Sequence, residues 1–441
     1  MADSKKYIGI YDSLEDVQDA LDNGQLSKPD VAKTMDNGQL DYNSLSPVDY
    51  SQYWCTYLPI DAKIWVTTSS DLYYPNVVEY TGGDGRISKA DFPSFYLAGS
   101  RSNSSTITKF KYFQFDSTSN TIYFKQAWQN CSSLKEFPMI DTSKGTNFES
   151  TWYNCSSLKS FPQLDLHNGT SFREAWYGCS SLTEFPLLDV HNGDNFQYAW
   201  QNCSSLKEFP LLDVHNGTYF DFAWAGCKAL TTFPTLDLSK GIRFSEAWKD
   251  CKALTEFPAL DLHNSTEFPE AWNGCSSLTT FSGVDLSNGT NFGSAWNGCS
   301  SLTTFSGVDL SSGSNFYMAW NDCSSLTTFL LTDLSAGTDF SFAWANCSSL
   351  TEFPALNLSA GTKFTYTWNN CSALTTLGGF GAISADFSLD TCTKLTVESL
   401  MNVINQAATV TGKTMTLGST NLAKLSDEQK AVATSKGWTL A

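Results

Sequence analysis

The sequence predicts an α/β solenoid of about eleven coils, and three columns of residues carry that prediction. Cysteines stand at 131, 155, 179, 203, 227, 251, 275, 299, 323, 347 and 371, spaced by 24 without a slip. A tryptophan precedes each by three residues, from Trp128 to Trp368, and a phenylalanine precedes each tryptophan by four, from Phe124 to Phe364. A fixed period of this length marks a chain whose units bury their apolar faces only against neighbouring units.

Within one unit, Phe172, Ala175, Trp176 and Cys179 stand at i, i+3, i+4 and i+7, the spacing of one helical face. Thr170 ahead of them is an N-cap residue type, and its column holds Ser, Thr or Asp from Thr146 to Thr362, with Ile242 the exception. Only Asn, Gly or Asp precedes each cysteine (Asn154, Gly178, Asp250), residues that accept a left-handed backbone where a helix ends. The expectation is a capped helix of about two turns. Leu182 to Phe185 follows as an extended segment and the predicted strand. Pro186 has no N–H to give to a parallel ladder, so pairing should stop there. Leu188-Asp189-Val190 supplies a second extended side, and Asn192-Gly193 turns the chain into the next unit.

The combined pattern, Phe-x-x-Ala-Trp followed by Cys-x-x-Leu-x-x-Phe-Pro, resembles the BspA-type leucine-rich repeats of bacterial surface proteins over residues 124–377. It departs from the commoner form by a Trp where Phe is usual and by the added Leu-Asp-Leu side. The resemblance implies a right-handed leucine-rich-repeat stack spanning residues 107–378, with parallel coils about 4.8 Å apart. Ile107, Phe110 and Phe113 read as a degenerate capping coil, and Cys392 to Leu395 as an irregular coil at the other end.

The ends follow other patterns. Residues 379–441 read as a C-terminal α/β cap over the last coil. It comprises a helix over 397–408, a strand over 414–418, and a helix opened by Ser426 with Gln429 completing a capping box and stopped at Gly437. Residues 51–106, rich in Tyr and Trp, read as a small β-rich connector. Residues 1–50 read as a small α+β module. Their segment Tyr7-Ile-Gly-Ile-Tyr-Asp-Ser-Leu-Glu-Asp-Val-Gln-Asp-Ala-Leu-Asp-Asn-Gly resembles an N-terminal module of virion fibre and head-appendage proteins of Bacteroidales (crAss-like) bacteriophages.

Charge narrows the functional classes. The 441 residues carry 27 Lys plus Arg against 45 Asp plus Glu, a net charge of -18, and no basic stripe that would neutralise a nucleic acid. No run approaches the ~18 apolar residues of a membrane span, and no apolar signal segment follows Met1, so a product kept in the cytoplasm or released without a signal peptide is expected. The odd count of 13 Cys excludes a complete intramolecular disulfide framework. The cysteine column points its thiols along one line, which favours a buried ladder over a few bridges or a metal site.

Two polar columns invite chemistry. Asp141, Asp165, Asp189, Asp213, Asp237, Asp261, Asp285, Asp309 and Asp333 share one, ending in Asn357. Each carboxylate is expected to accept backbone N–H groups of the following turn; Ca²⁺ between adjacent pairs is the alternative. His167, His191, His215 and His263 share another, read as copied turn residues, with a metal or pH-sensing stripe as the alternative. No catalytic set, metal ligand set or cofactor motif is assigned.

The column just before Ala-Trp varies most: Glu174, Tyr198, Phe222, Glu246, Glu270, Ser294, Met318, Phe342 and Tyr366. Tyr198, Tyr219 and Phe222, with Met318, Phe342 and Tyr366, are the candidate binding residues, since an exposed apolar patch often marks an interface, here with a ligand or with a second copy of the chain. The two resemblances together imply a non-enzymatic phage virion protein, a head or tail appendage. It would dock to other virion proteins through residues 1–50, display the solenoid to a host-surface protein or glycan, and assemble as a homotrimer. A BspA-like bacterial adhesin is the alternative, and a glycan-acting enzyme the third.

Overall fold

A computed structural model describes residues 124–137, 142–331 and 333–441, together with short strands between residues 53 and 123. The module at 1–50, the coil at Ile107, Phe110 and Phe113, and Asp141 lie outside the described residues. The chain divides into two compact units, Met1–Asn192 and Gly193–Ala441.

In the first unit, residues 51–106 hold antiparallel strands: Ile64–Thr67 runs between Val78–Tyr80 and Tyr96–Ala98, and Tyr53–Cys55 pairs with Ile87–Ser88. The repeats then begin with Ile122–Tyr123 parallel to Gly145–Asn147. Trp128, Trp152 and Trp176 stack at centroid spacings of 6.0 and 5.5 Å. Beside them Phe124, Phe148 and Phe172 stack at 5.3 and 5.5 Å.

The predicted helix does not form. From Phe148 to Cys155 the backbone is a run of tight turns in which N–H groups alternate between two directions. Ser150, Trp152 and Asn154 donate to the carbonyls of Arg173, Ala175 and Tyr177 in the next coil, at 2.8, 2.8 and 2.6 Å. Thr151, Tyr153 and Cys155 donate within their own coil to Phe148, Ser150 and Trp152, at 3.2 Å each. An α-helix would turn all these donors along its own axis and leave none for the neighbour. The turns require a left-handed residue at their third position, the type II pattern; Ser150 (φ 54°) and Asn154 (φ 56°) fill it. The supposed N-cap column does something else as well. Thr170 Oγ1 donates to Thr146 O one coil back, at 3.1 Å.

The second unit repeats the scheme. Phe292, Ser294, Trp296 and Gly298 donate to Asn315, Tyr317, Ala319 and Asn321, at 2.7–2.9 Å. Trp200 to Trp368 stack at 5.3–6.1 Å, and each lies edge-on to a second phenylalanine column running from Phe209 to Phe353. Among the described residues the indole N–H groups of Trp224, Trp248, Trp272, Trp296, Trp320, Trp344 and Trp368 are buried with no hydrogen-bond partner in the protein. The cysteine column is a packed ladder in which each thiol has a partner: Cys227, Cys251, Cys275 and Cys299 Sγ donate to the carbonyls of Trp200, Trp224, Trp248 and Trp272 at 3.2–3.3 Å. Burial pushes the thiols of Cys227 and Cys275 up to about 12.

No described ladder continues through a proline, as the sequence led us to expect, and the longer strands lack one. Thr280–Phe281, Thr304–Ser306 and Thr328–Leu330 form a three-stranded sheet where Ser282, Ser306 and Leu330 replace proline. Where proline follows the phenylalanine the pairing goes no further than that residue: at Pro210 it shrinks to the isolated bridge Glu208↔Thr232, and at Pro354 it is the two-residue ladder of Glu352–Phe353 with Thr376–Leu377.

The C-terminal segment closes this stack. Phe380 lies flat on Trp368 at 4.2 Å and 12°, in the place of a further indole. Phe387–Ser388, Lys413–Thr416 and Trp438–Leu440 form a parallel sheet in that order. The helix Val397–Gln406, capped by Thr396, turns Leu400, Val403 and Ile404 inward, and its Ser399 Oγ bonds Thr375 O and Leu377 N of the last coil. The helix Asp427–Ser435 carries the expected capping box of Ser426 and Gln429. A short helix at Gly418–Leu422, where the strand was expected to end, is an addition.

Trp272→Ala is expected to destabilise the chain by about 3–5 kcal/mol in denaturant titrations. Cys251→Ala should cost about 1–2 kcal/mol for the lost packing and thiol bond. Alkylation at pH 8 mapped by mass spectrometry should leave Cys227 and Cys275 unmodified in the native chain and modify both after guanidinium unfolding.

Candidate binding face

Each coil contains two left-handed positions with the same backbone demand but different occupants. The position before each cysteine holds Asn, Gly or Asp and nothing else, from Asn130 (φ 62°) to Asn370 (φ 61°). At Gly226 (φ 74°) an added Cβ would lie 2.4 Å from Asn202 Oδ1, so the asparagine side chain would have to shift. The position before Ala-Trp lies at φ 54–59° in Glu174, Tyr198, Phe222, Glu246, Glu270, Ser294, Met318, Phe342 and Tyr366. It never holds glycine, asparagine or aspartate. A left-handed L-residue costs roughly 1–2 kcal/mol, so this column carries strain that its neighbour avoids. Strain of this kind persists where the surrounding structure fixes it and often accompanies function.

The side chains of this column project beside the buried Ala and Trp and remain at least partly accessible. Tyr198 and Phe222 stack face to face at 4.7 Å and 15°. Tyr219 sits in another column, bridged to Asn195 and Arg243, so the sequence-predicted trio is one stacked pair with a flanking tyrosine. Farther along, Phe342 contacts Tyr366 at 5.2 Å and Tyr317 edge-on at 6.2 Å. Tyr366 is 56% exposed and Tyr317 42%. Met318 occupies the same column half-buried. Tyr317 was absent from the sequence-based set; its signal was an aromatic in a column otherwise filled by small or polar residues.

Charged groups fix the stretch between the two aromatic clusters. Asp221, buried, accepts from Arg243 Nε at 2.9 Å, Gln197 Nε2 at 2.7 Å and Ser245 N at 3.2 Å. Lys249 lies between Glu246 and Glu270, at 2.7 and 2.5 Å from their Oε2 atoms. Partial burial works to lower its pKa, and the two carboxylates outweigh burial and raise it. In the first unit a neighbouring column stacks half-buried Tyr153 on half-buried Tyr177 at 4.5 Å.

The aspartate column has the turn role expected of it. Asp237, Asp261, Asp285, Asp309 and Asp333 Oδ1 each accept the N–H two residues on, at 2.8–3.2 Å. Each histidine also pairs with the aspartate of its own coil, with His167 and His263 Nδ1 at 2.5 Å from Asp165 and Asp261 Oδ1. Hydrogen bonding from His263 holds the Asp261 carboxyl below its ordinary value.

No protein-family model matches the sequence, and no curated protein does. Among solved structures, the chain is similar to a leucine-rich repeat protein from Bacteroides ovatus, at 15% identity and TM-score 0.31, over 72% of this chain and 93% of that one. It is also similar to an internalin from Listeria monocytogenes, at 12% identity and TM-score 0.26, over 81% and 90% of the two chains. At these TM-scores the likenesses carry no argument, and the solenoid rests on its own inter-coil register.

Ser294 tests the strain directly. Ser294→Val should lower stability by about 1–2 kcal/mol, because a branched Cβ fits the left-handed region worst. Ser294→Gly should leave it unchanged within about 0.5 kcal/mol, since glycine's relief of strain is offset by its backbone entropy. Thermal denaturation of the two variants reads the difference.

Proposed function

We propose that the chain is a non-enzymatic binding protein whose variable left-handed column is the ligand-contacting face. The contrast between the two left-handed columns carries this reading: where only the backbone matters the sequence uses Gly, Asn or Asp, and where it uses aromatics, Met and Glu it accepts strain to present side chains. The aromatic pair Tyr198–Phe222 and the cluster of Tyr317, Phe342 and Tyr366 are its apolar contact points. Aromatic anchors of this kind dominate binding energy.

The finer assignment we favour is a bacteriophage virion appendage, a head or tail fibre that joins other virion proteins through residues 1–50 and assembles as a homotrimer. Its support is the N-terminal resemblance. A bacterial surface adhesin is the second reading, supported by the BspA-like repeat motif. Proteomics of purified phage particles and of bacterial surface fractions separates the two: recovery from virions supports the first, recovery only from cell surfaces the second.

The binding reading is tested by flow cytometry of the labelled chain on Bacteroidales cells. Phe342→Ser combined with Tyr366→Ser should reduce cell binding at least tenfold with circular dichroism unchanged. Equal binding by the folded double variant would remove this face from the proposal.

A further inference from the structure

Asp261, His263 and Asp285 bring one donor atom each to within 4.8 Å of one another, on the exposed side of two adjacent coils. The coil that carries Asp261 and His263 departs from the consensus. Ser265 stands where the turn otherwise has glycine, fully buried, with its hydroxyl on Ile242 O at 3.1 Å. The two adjacent coils are joined at their aspartates by a parallel bridge, Asp261↔Asp285, with Leu262 N donating to Asp285 O at 3.1 Å and Asp285 N to Leu260 O at 2.8 Å. Among the described residues this is the one place where such a bridge pairs two members of the aspartate column.

Apart from His263, which pairs with Asp261, no cationic side chain faces these carboxylates among the described residues. Neither Asp261 nor Asp285 has a Lys or Arg within ion-pair distance among the described residues, and Asp285 accepts only the Ser287 N–H, at 3.1 Å. Two carboxylates held side by side by backbone repel, in a chain of net charge -18. His215, the other histidine in this unit, has no such bridge between the aspartates beside it among the described residues, and its surroundings differ further. Asp237, the coil-neighbour of the Asp213–His215 pair, takes a second bond from its own Ser239 hydroxyl at 2.7 Å.

We propose that Asp261, His263 and Asp285 form a binding site for a divalent transition-metal cation. Imidazole with two carboxylates suits Zn²⁺, Ni²⁺ or Mn²⁺ better than Ca²⁺, which prefers an all-oxygen set. Water completes the coordination on the open side. The cation replaces the His263 proton and cancels the repulsion between the two coils. It acts as a clamp between neighbouring coils and adds no catalytic step.

The ligand must be the neutral imidazole, so the affinity depends on pH. His263 faces Asp261 and Asp285, with Asp237 a coil behind Asp261. Protons compete for the ligating nitrogen, so binding should fade as pH drops.

Isothermal titration calorimetry of the full chain with ZnCl₂ at pH 7.5, with His263→Ala, Asp285→Asn and His215→Ala as variants, tests the site. The expected result is one equivalent of Zn²⁺ bound by the wild type and by His215→Ala, at least tenfold weaker binding by Asp285→Asn, and none by His263→Ala. The wild-type heat should disappear by pH 5.5. No heat with wild type, or equal heats in all four proteins, overturns the proposal. Circular dichroism of the variants separates loss of ligands from loss of fold, and ring ¹H–¹⁵N spectra of the four histidines should show only His263 shifting on addition of Zn²⁺.

Discussion

The hydrogen bond from one coil's N–H to the carbonyl 23 residues on is the constraint from which the rest of the repeat follows. To aim every second donor at the next coil, the backbone must reverse between them, and it does so with two left-handed residues per turn segment. That requirement selects Asn, Gly or Asp before each cysteine. It also leaves the Trp carbonyl accepting the Cys N–H of its own coil and the thiol of the next, as Trp224 does from Cys227 N and Cys251 Sγ. Cysteine rather than alanine is therefore explained by an acceptor that a methyl group would leave half used. At Thr151 and Thr367, which replace the consensus alanine, a hydroxyl does the same for Phe124 O and Phe340 O at 2.9 Å.

The aromatic stack is the complementary force. Unpartnered indole N–H groups cost roughly 1–3 kcal/mol each, and ring contacts offset that cost: Trp248, fully buried, touches Trp224 and Trp272 on its faces and Phe257 edge-on. Ring pairs add about 0.5–1.5 kcal/mol beyond area burial. The cap follows the same logic. Phe380 supplies the final ring, and Ser399 and Asn402 take up the backbone groups that a further coil would have paired.

The period was legible because duplication copied buried residues most faithfully, and Trp, Cys and Phe are rare enough to count. The helix was misread for a physical reason. Consecutive tight turns also bring residues i, i+3, i+4 and i+7 to one side, so Phe172, Ala175, Trp176 and Cys179 fit both patterns. The left-handed state of Asn154 or Gly178 could be read from residue type; that of Tyr198 or Phe222 could not, since nothing in a tyrosine announces a positive φ. Of the candidate face, Tyr198 with Phe222 and Phe342 with Tyr366 were visible as a column, whereas Tyr317 joins through a neighbouring column that only the turn geometry brings alongside.

Within the second unit a coil's hydrogen bonds reach only the coils on either side, and residues 272–287 are identical to 296–311. Such near-copies are substrates for recombination in the gene. Gain or loss of 24 residues would excise or insert a whole coil and leave every remaining bond with an equivalent partner. The occupants of the variable column could then be reordered, with Glu, Tyr or Met brought next to new neighbours, faster than point mutation would allow. The strict register that makes the scaffold monotonous thus gives its binding face a combinatorial route to change.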